Sequence, residues 1–566
     1  MTNKRIARYL KQTSDLIELT GGNAFRARAF GSAARTVDRL DASVLQLVER
    51  DELTGVQGIG KGLAADIASL VTTGSFETLD ELVESLPPGL LDVLRVKGLG
   101  PKKARALWTG LGITSLDDLE RAAATGQIAQ LDGFGKKTEQ TILANVEQLR
   151  RYRSRRRYRA ALDAVAPLID ALRSDDRIER VEIAGELRRA LDTVGHADLV
   201  VAGDADALRA ALDQHATPSD DDTDDDAFFT GTLHDGLDLR IVLAAPDQFP
   251  TVWWRETGSP AHVAAFVERY GDAVTTTGEA AIYENAGLDW VPPELREATG
   301  ELDAARSGNL PRLITVGDLR GTLHNHSTYS DGAHTLRQMA EAARAMGLEY
   351  FGVCDHSRSL QIAHGLSIER LREQGEEVAA LNAEFASDGG PAFRIFHGTE
   401  CDILRDGSLD YPDEVLAELD FVVASVHTSF NMTEDEATDR LARAVENPYV
   451  SILGHLTGRL LLAREGYPVD HERVIAACAA HGVSIELNAN PYRLDMDWRY
   501  IRQATAQGVP ISINPDAHAI DGLADVQWGV AAARKGWLTP GQCLNALSAD
   551  DFAAWLAARR SVTAGT

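Results

Sequence analysis

Leu323–Gly332, LHNHSTYSDG, closes an apolar run with His324 and His326 two residues apart and Asp331 five residues further on. On an extended strand, residues i and i+2 face the same side, so the two imidazoles can converge on one metal ion. The pattern recurs six times downstream. YFGVCDHS ends in Asp355 and His356, FRIFHGTECDIL carries Glu400, and FVVASVHTS carries His427. VSILGHLTG brings His455, VSIELNANP brings Glu486 and Asn488, and PISINPDAHA brings Asp516 and His518. Seven strand-like runs separated by helix-length segments predict repeated βα units, hence a parallel barrel closed by helices. Function in such a barrel collects at the C-terminal ends of the strands. The histidines and carboxylates fall there. A lone histidine is more often a satisfied buried imidazole, but polar groups at every strand end do not arise by coincidence.

Outward from this half, 566 residues leave room for three or four domains with ample cores. Acidic residues number 85 against 57 basic ones, for a formal charge of −28. That argues against bulk attraction to nucleic acid or to an anionic membrane. Lysine is scarce, and an aspartate-rich tract, SDDDTDDD, fills Ser219 to Asp226. A surface adapted to a high-salt cytoplasm and ordinary solubility charge both fit this composition. At high salt, counterion release is weak and DNA binding would lean on geometry. Cys354, Cys401, Cys478 and Cys543 show no CxxC spacing, so neither a zinc knuckle nor a disulfide framework is indicated. Without a leader-like apolar segment or a run of about 18 apolar residues, the expectation is a soluble, reduced, cytoplasmic protein. No membrane partner and no obligate protein partner is indicated.

The first 150 residues read as short helices joined by Gly-x-Gly turns: VQGIGKGLAADI (Val56–Ile67), VKGLGPKKARALW (Val96–Trp108) and LDGFGKKTEQTIL (Leu131–Leu143). Glycine permits the tight turn. The N–H groups at the next helix start then form an anion site suited to a phosphate oxygen. Candidate DNA contacts are Gly58, Gly60, Lys61, Gly98, Gly100, Lys102, Lys103, Gly133, Gly135, Lys136 and Lys137. One such turn is weak evidence; three with the same flanks resemble the helix-hairpin-helix module, which grips the DNA backbone without reading sequence. RRYRSRRRYR (Arg150–Arg159) follows as a phosphate track or as a solvated face.

From about residue 160 the texture turns to short strands. IAGELRRALDTVGHADLVV resembles the palm signature of family X DNA polymerases, and LDLRIVLA (Leu237–Ala244) resembles the strand carrying their third catalytic aspartate. TGSPAH (Thr257–His262) is similar to their sugar- and base-proximal segment, and GLDWVPPELRE (Gly287–Glu297) to the end of their thumb. With the C-terminal half, the chain resembles bacterial and archaeal family X polymerases bearing a C-terminal PHP (polymerase and histidinol phosphatase) domain. The implied fold is multidomain, α+β and α/β. It has a helix-hairpin-helix domain at 1–85, a fingers-like domain with two further hairpins at 86–155 and a nucleotidyltransferase palm at 156–248. A thumb at 249–315 and a distorted (β/α)7 PHP barrel at 316–566 complete it.

The resemblance implies two centres. The palm needs three carboxylates around two Mg²⁺ or Mn²⁺ ions. Asp198 and Asp238 hold two of the positions, but His196 stands where the family has aspartate. Gly185, Arg188, Arg189, Gly258 and Ser259 fall at nucleotide-binding positions. Glu186 replaces the family's serine there, and a carboxylate about 4 Å from a phosphate is repelled by roughly 1–4 kcal/mol. A weakened polymerase centre is expected. Lyase chemistry is not expected either, because Asp66 stands where related enzymes have a Schiff-base lysine.

In the PHP half, nine implied ligands are all of the expected type: His324, His326, Asp331, His356, Glu400, His427, His455, Asp516 and His518. Mixed imidazole and carboxylate donors suit Mn, Zn or Fe. Nine are too many for one ion, so two or three metals are expected, with Glu400 as catalytic bridge. Asp355 fits either a role behind a ligand or an ordinary strand-end turn; His364 and Arg493 are candidate phosphate or strand contacts at the mouth. The function expected is a DNA repair protein acting on gapped, nicked or recessed ends as a 3′–5′ exonuclease or 3′-end phosphoesterase. A gap-filling polymerase using dNTPs with PHP proofreading, a non-catalytic DNA-end scaffold and a small-molecule phosphatase are the alternatives.

Overall fold

The computed structural model describes residues 1, 3–40, 42–219, 227–273 and 276–563, so the aspartate tract from 220 to 226 lies outside the described residues. The chain parts into two compact units, Met1–Ser154 and Arg155–Thr566.

The described residues of the first unit form helices only. Their apolar faces bury Ile6, Leu10, Leu16, Phe30, Leu70, Leu90, Leu107 and Val146 in one core. Each glycine turn leads directly into a helix: Lys61–Thr73, Pro101–Leu111 and Lys136–Arg153. Gly58, Gly98 and Gly133 have φ of 89°, 86° and 84°, in the left-handed region where a β-carbon is strained. Gly60, Gly100 and Gly135 are the N-caps, and none of the three helices has a side-chain cap. Their first N–H groups therefore remain open to an external acceptor. Eight of the nine lysines in the chain lie in this unit.

The second unit holds two large sheets. The first part supplies β1 (Arg156–Arg157), β2 (Ile178–Ala184), β3 (Thr193–Val194), β4 (His196–Gly203), β5 (Ala216–Pro218), β6 (Phe228–Leu233) and β7 (Asp238–Leu243). β1 pairs with β3, and the rest form a sheet in the order β2-β4-β7-β6-β5. Strand alternation sends Leu199 and Val201 of β4 toward the helices Tyr158–Arg173 and Ala205–His215. Val200 and Ala202 face Phe249 at the start of the helix Phe249–Thr257. β4 and β7 are parallel, with His196 opposite Asp238 and Asp198 opposite Arg240.

The seven runs of the C-terminal half form β8 (Gly321–Thr322), β9 (Tyr350–Val353), β10 (Arg394–Asp402), β11 (Phe421–Ser425), β12 (Ile452–Leu453), β13 (Ser484–Asn488) and β14 (Ile511–Asn514). They lie in sequence order, every neighbouring pair parallel. Helices cover the outside, so the strands are apolar and buried on both faces. The barrel is nearly closed. Past the strand ends the His326 N–H donates to the Ala517 carbonyl at 2.8 Å. The Asn545 side chain fills the seam, donating to the Gly321 carbonyl (3.1 Å) and to Asn514 Oδ1 (3.0 Å) and accepting from the Ile513 N–H (2.7 Å).

The arginine run is largely occupied by internal partners rather than forming an open track. Arg150 pairs with Asp117 and Glu120, and Arg153 with Asp92. Arg155 meets Glu186, Arg159 meets Asp525, and Arg157 lies 3.7 Å over the Tyr492 ring. All four cysteines are buried free thiols. Among the described residues no helix is long and apolar enough to cross a membrane.

Candidate metal centre and the palm cleft

The nine histidines and acids named from the strand ends form one connected, mostly buried cluster. Glu400 lies at its middle. Its Oε2 is 2.8 Å from His356 Nδ1, 3.3 Å from His324 Nε2 and 3.7 Å from His326 Nε2. Its Oε1 is 3.0 Å from His455 Nε2 and 3.1 Å from His427 Nε2. Asp516 Oδ1 approaches His326 Nε2 at 3.2 Å, and Asp331 Oδ1 lies 3.3 Å from His518 Nε2 and 3.5 Å from His356 Nε2.

Seven of the nine fall into compact donor sets that share members. His326, Asp331, His356 and His518 form one set; His324, His326 and Glu400 a second; His356, Glu400 and His427 a third, with donors within 4.8 Å of one another in each. His324 Nε2, His326 Nε2 and His356 Nδ1 are buried and face carboxylates at 2.8–3.3 Å without hydrogen-bond geometry, and His326 Nδ1 has no hydrogen-bond partner. Buried nitrogens orphaned in this way are expensive unless a cation takes their lone pairs. Burial, and after it the charges of His518 and His356, pushes His326 down to about 3, so it offers a neutral imidazole. Burial pushes the Glu400 carboxyl up, but His427, His324 and His356 outweigh it and hold the group ionised, well below the usual carboxylate range. The residues fit divalent cations.

Three further carboxylates, all buried, hold the cluster in shape. Asp402 accepts from His427 Nδ1 and from Ser359 Oγ, which leaves His427 Nε2 facing Glu400. Glu486 Oε1 lies 2.7 Å from His324 Nδ1 and accepts from Asn514 at 3.0 Å, while its Oε2 accepts the His455 N–H at 2.8 Å. Asp355 accepts from the N–H and hydroxyl groups of both Ser327 and Ser330 and from Gln374, pinning the loop that carries Asp331. That is a role behind the ligands rather than an idle turn. Asp402 escapes a reading of the sequence, although it sits two residues after Glu400 on β10 and shares its face. At the mouth, Arg493 Nε is 3.3 Å from Asp516 Oδ2, and His364 is exposed at φ 56°.

The second centre is a cleft of about 580 Å³ lined by Gly185, Glu186, Arg189, His196, Asp198, Arg240 and Glu256 among others. Asp198 Oδ1 lies 3.1 Å from Arg240 Nε and 3.2 Å from His196 Nε2. Gly185, at φ 57°, could carry no β-carbon, which would stand 1.8 Å from Asp198 Oδ2. Asp238 is exposed opposite His196, accepts from Thr232 at 3.2 Å, and does not line this cleft.

The residues expected to bind nucleotide have internal partners. Arg188 is turned onto Glu279, at 2.7 and 2.8 Å, and stacks 3.4 Å over Trp253. Arg189 bonds Glu297 (2.9 Å) and the Thr257 carbonyl (2.7 Å). Carboxylates thus already neutralise both guanidiniums. Ser259 caps the helix Pro260–Tyr270 by accepting the His262 N–H, while Gly258 lines the cleft. Glu186 is not a bare charge: it accepts from Arg155 (2.9 Å) and the Gly195 N–H (2.8 Å), which weakens the repulsion expected of it.

Family comparisons agree with this architecture. Residues 1–76 match a helix-hairpin-helix domain, residues 90–147 a SAM-like helix-hairpin-helix tandem, and residues 322–490 the PHP domain. The DNA polymerase/3′-5′ exonuclease PolX of Bacillus subtilis is 37% identical, over 98% of this chain and 99% of its own length. A "Probable phosphatase" of Acetivibrio thermocellus is 30% identical over 34% of this chain and 78% of its own. Another, from Thermoanaerobacter, is 26% identical over 39% and 88%.

Proposed function

The chain belongs to the PolX family of DNA polymerase/3′–5′ exonucleases, and from that premise we propose that hydrolysis of DNA 3′ ends in the PHP barrel is its principal chemistry. It is a DNA repair protein with DNA as its partner and a divalent-metal phosphoesterase in its C-terminal half. One observation carries the reading. The nine-residue cage keeps every residue within 3.5 Å of another, whereas the palm cleft has an imidazole in place of one carboxylate and an arginine on the next.

Within the cage, His324, His326, Asp331, His356, Glu400, His427, His455, Asp516 and His518 would hold two or three cations, with Mn, Zn or Fe favoured by the mixed donors. When bound, such cations neutralise phosphate charge and activate water for attack. The protein does the rest. Asp402 and Glu486 fix which nitrogen of His427 and His324 faces inward. Asp355 holds the Asp331 loop, and Arg493 offers a guanidinium at the mouth to the incoming phosphodiester. The open N–H groups after Gly60, Gly100 and Gly135, flanked by Lys61, Lys102, Lys103, Lys136 and Lys137, would grip backbone phosphates of a gapped, nicked or recessed duplex.

The polymerase centre is the weaker of the two in this reading. Asp198 would have to release Arg240 before taking Mg²⁺ or Mn²⁺, and His196 presents nitrogen where such ions prefer oxygen. Elemental analysis tests the cage. The dialysed wild-type chain should retain about two or three equivalents of transition metal, and a His324→Ala, His326→Ala chain should lose at least one. Equal, negligible metal in both would instead favour a non-catalytic scaffold.

A further inference from the structure

Tyr492 is a large aromatic with 54% of its surface exposed, and its chain neighbour Arg493 contacts the cage residue Asp516. Its backbone is fixed on every side. The Tyr492 N–H donates to Asn490 Oδ1 (3.0 Å), the Tyr492 carbonyl accepts the Leu461 N–H (2.7 Å), and the Arg493 N–H donates to the Asn490 carbonyl (2.7 Å). The ring is therefore held out to solvent by a rigid turn. One face is covered by the Arg157 guanidinium at 3.7 Å, contributed by β1 of the palm part. Two residues earlier, Arg155 bonds Glu186 of the palm cleft. The next residue after the ring, Arg493, reaches the cage residue Asp516, and its charge is felt by Arg464. An exposed ring and a group of guanidiniums thus sit together in a chain of net charge −28.

We propose that Tyr492, backed by Arg157, is a stacking platform for the base of an unpaired 3′-terminal nucleotide whose phosphodiester enters the cage. The proposal rests on the hydrolase reading above and deepens it: it names the surface that receives the terminal base. The physical basis is the usual division of labour on single strands. Guanidiniums meet the phosphates, and an aromatic face takes a base of any identity. A ring already held against Arg157 on one face loses little entropy when a base settles on the other.

The test is a binding measurement on the full, manganese-loaded chain. Fluorescence anisotropy follows a 5′-labelled gapped duplex with one unpaired 3′ nucleotide, its last linkage a phosphorothioate to slow hydrolysis. The comparison is the same duplex ending in an abasic residue. Wild type is expected to bind the base-bearing end about tenfold more tightly. Tyr492→Ala should erase that preference and Tyr492→Trp should keep it. A wild type without the preference, or a preference that survives Tyr492→Ala, would overturn the platform. So would a Tyr492→Ala chain that loses turnover of p-nitrophenyl phosphate along with DNA affinity, since that pattern reports structural damage. Failure of the wild type to hydrolyse either substrate, with the base preference intact, would remove the hydrolase reading and leave the platform standing.

Discussion

Glu279 is held between two guanidiniums, Arg188 at 2.7 and 2.8 Å and Arg296 at 2.5 Å. Burial pushes its carboxyl up, but the two arginines outweigh burial and hold it at about 2. A carboxylate depressed in the folded state contributes stability above its unfolded value, and that contribution fades as pH falls toward the folded one. Glu279→Gln should therefore cost about 3 kcal/mol near neutral pH. In urea melts the gap to wild type should close between about pH 4.5 and 2; a gap independent of pH would contradict the pairing. Asp402 gives the second prediction at this scale. Asp402→Asn keeps the size but removes the charge that His427 faces, and should weaken metal retention by about 10–100-fold in a chelator competition. The strand-end histidines and acids are legible in the sequence because strand ends in a parallel barrel converge, and the resemblance to the PHP family singles out nine of them. Asp402 is not, since its charge works through His427 and nothing in the spacing separates a ligand from a carboxylate behind one. The fates of Arg188 and Arg189 are hidden for a different reason. Their partners, Glu279 and Glu297, lie about a hundred residues away.

At the scale of elements, the three glycine turns are readable outright, because a left-handed glycine followed by an uncapped helix start is a local property. Lys102→Gln with Lys103→Gln should weaken DNA binding for all sequences alike and lower the salt slope by about one for each phosphate no longer neutralised. An unchanged slope would remove these lysines from the interface. The β4–β7 pair gives the other prediction. Parallel register sets His196 beside Asp238 and Arg240 beside Asp198, so one imidazole interrupts the carboxylate set. His196→Asp is expected to raise template-dependent primer extension with Mg²⁺ about tenfold or more. Vigorous extension by the wild type would show that the imidazole is tolerated. The sequence displays this substitution but not the Arg240 interaction, which depends on the strand register.

For the whole molecule, the seven-run pattern predicts the parallel barrel, and the barrel is there. What it cannot predict is how the mixed α/β part and the barrel fuse into a single compact unit. Lys535, the only lysine after residue 137, is fully buried at that fusion. It donates to Glu297 (2.7 Å) and to the Arg189 carbonyl (3.0 Å). Nearby, Arg459 bridges Asp192 of the palm part (2.8 Å) and the backbone of Arg493. Apart from the Arg459–Arg493 bond, these join residues more than 200 positions apart and leave no periodic trace in the sequence. The central claim is that the cage, not the palm, carries the principal chemistry. The most direct measurement incubates manganese-loaded wild type, Asp198→Ala and His326→Ala with an end-labelled gapped duplex and no nucleotides. The account predicts stepwise 3′ shortening by wild type and Asp198→Ala, and an intact strand with His326→Ala. Shortening that persists in His326→Ala, or disappears in Asp198→Ala, would contradict it.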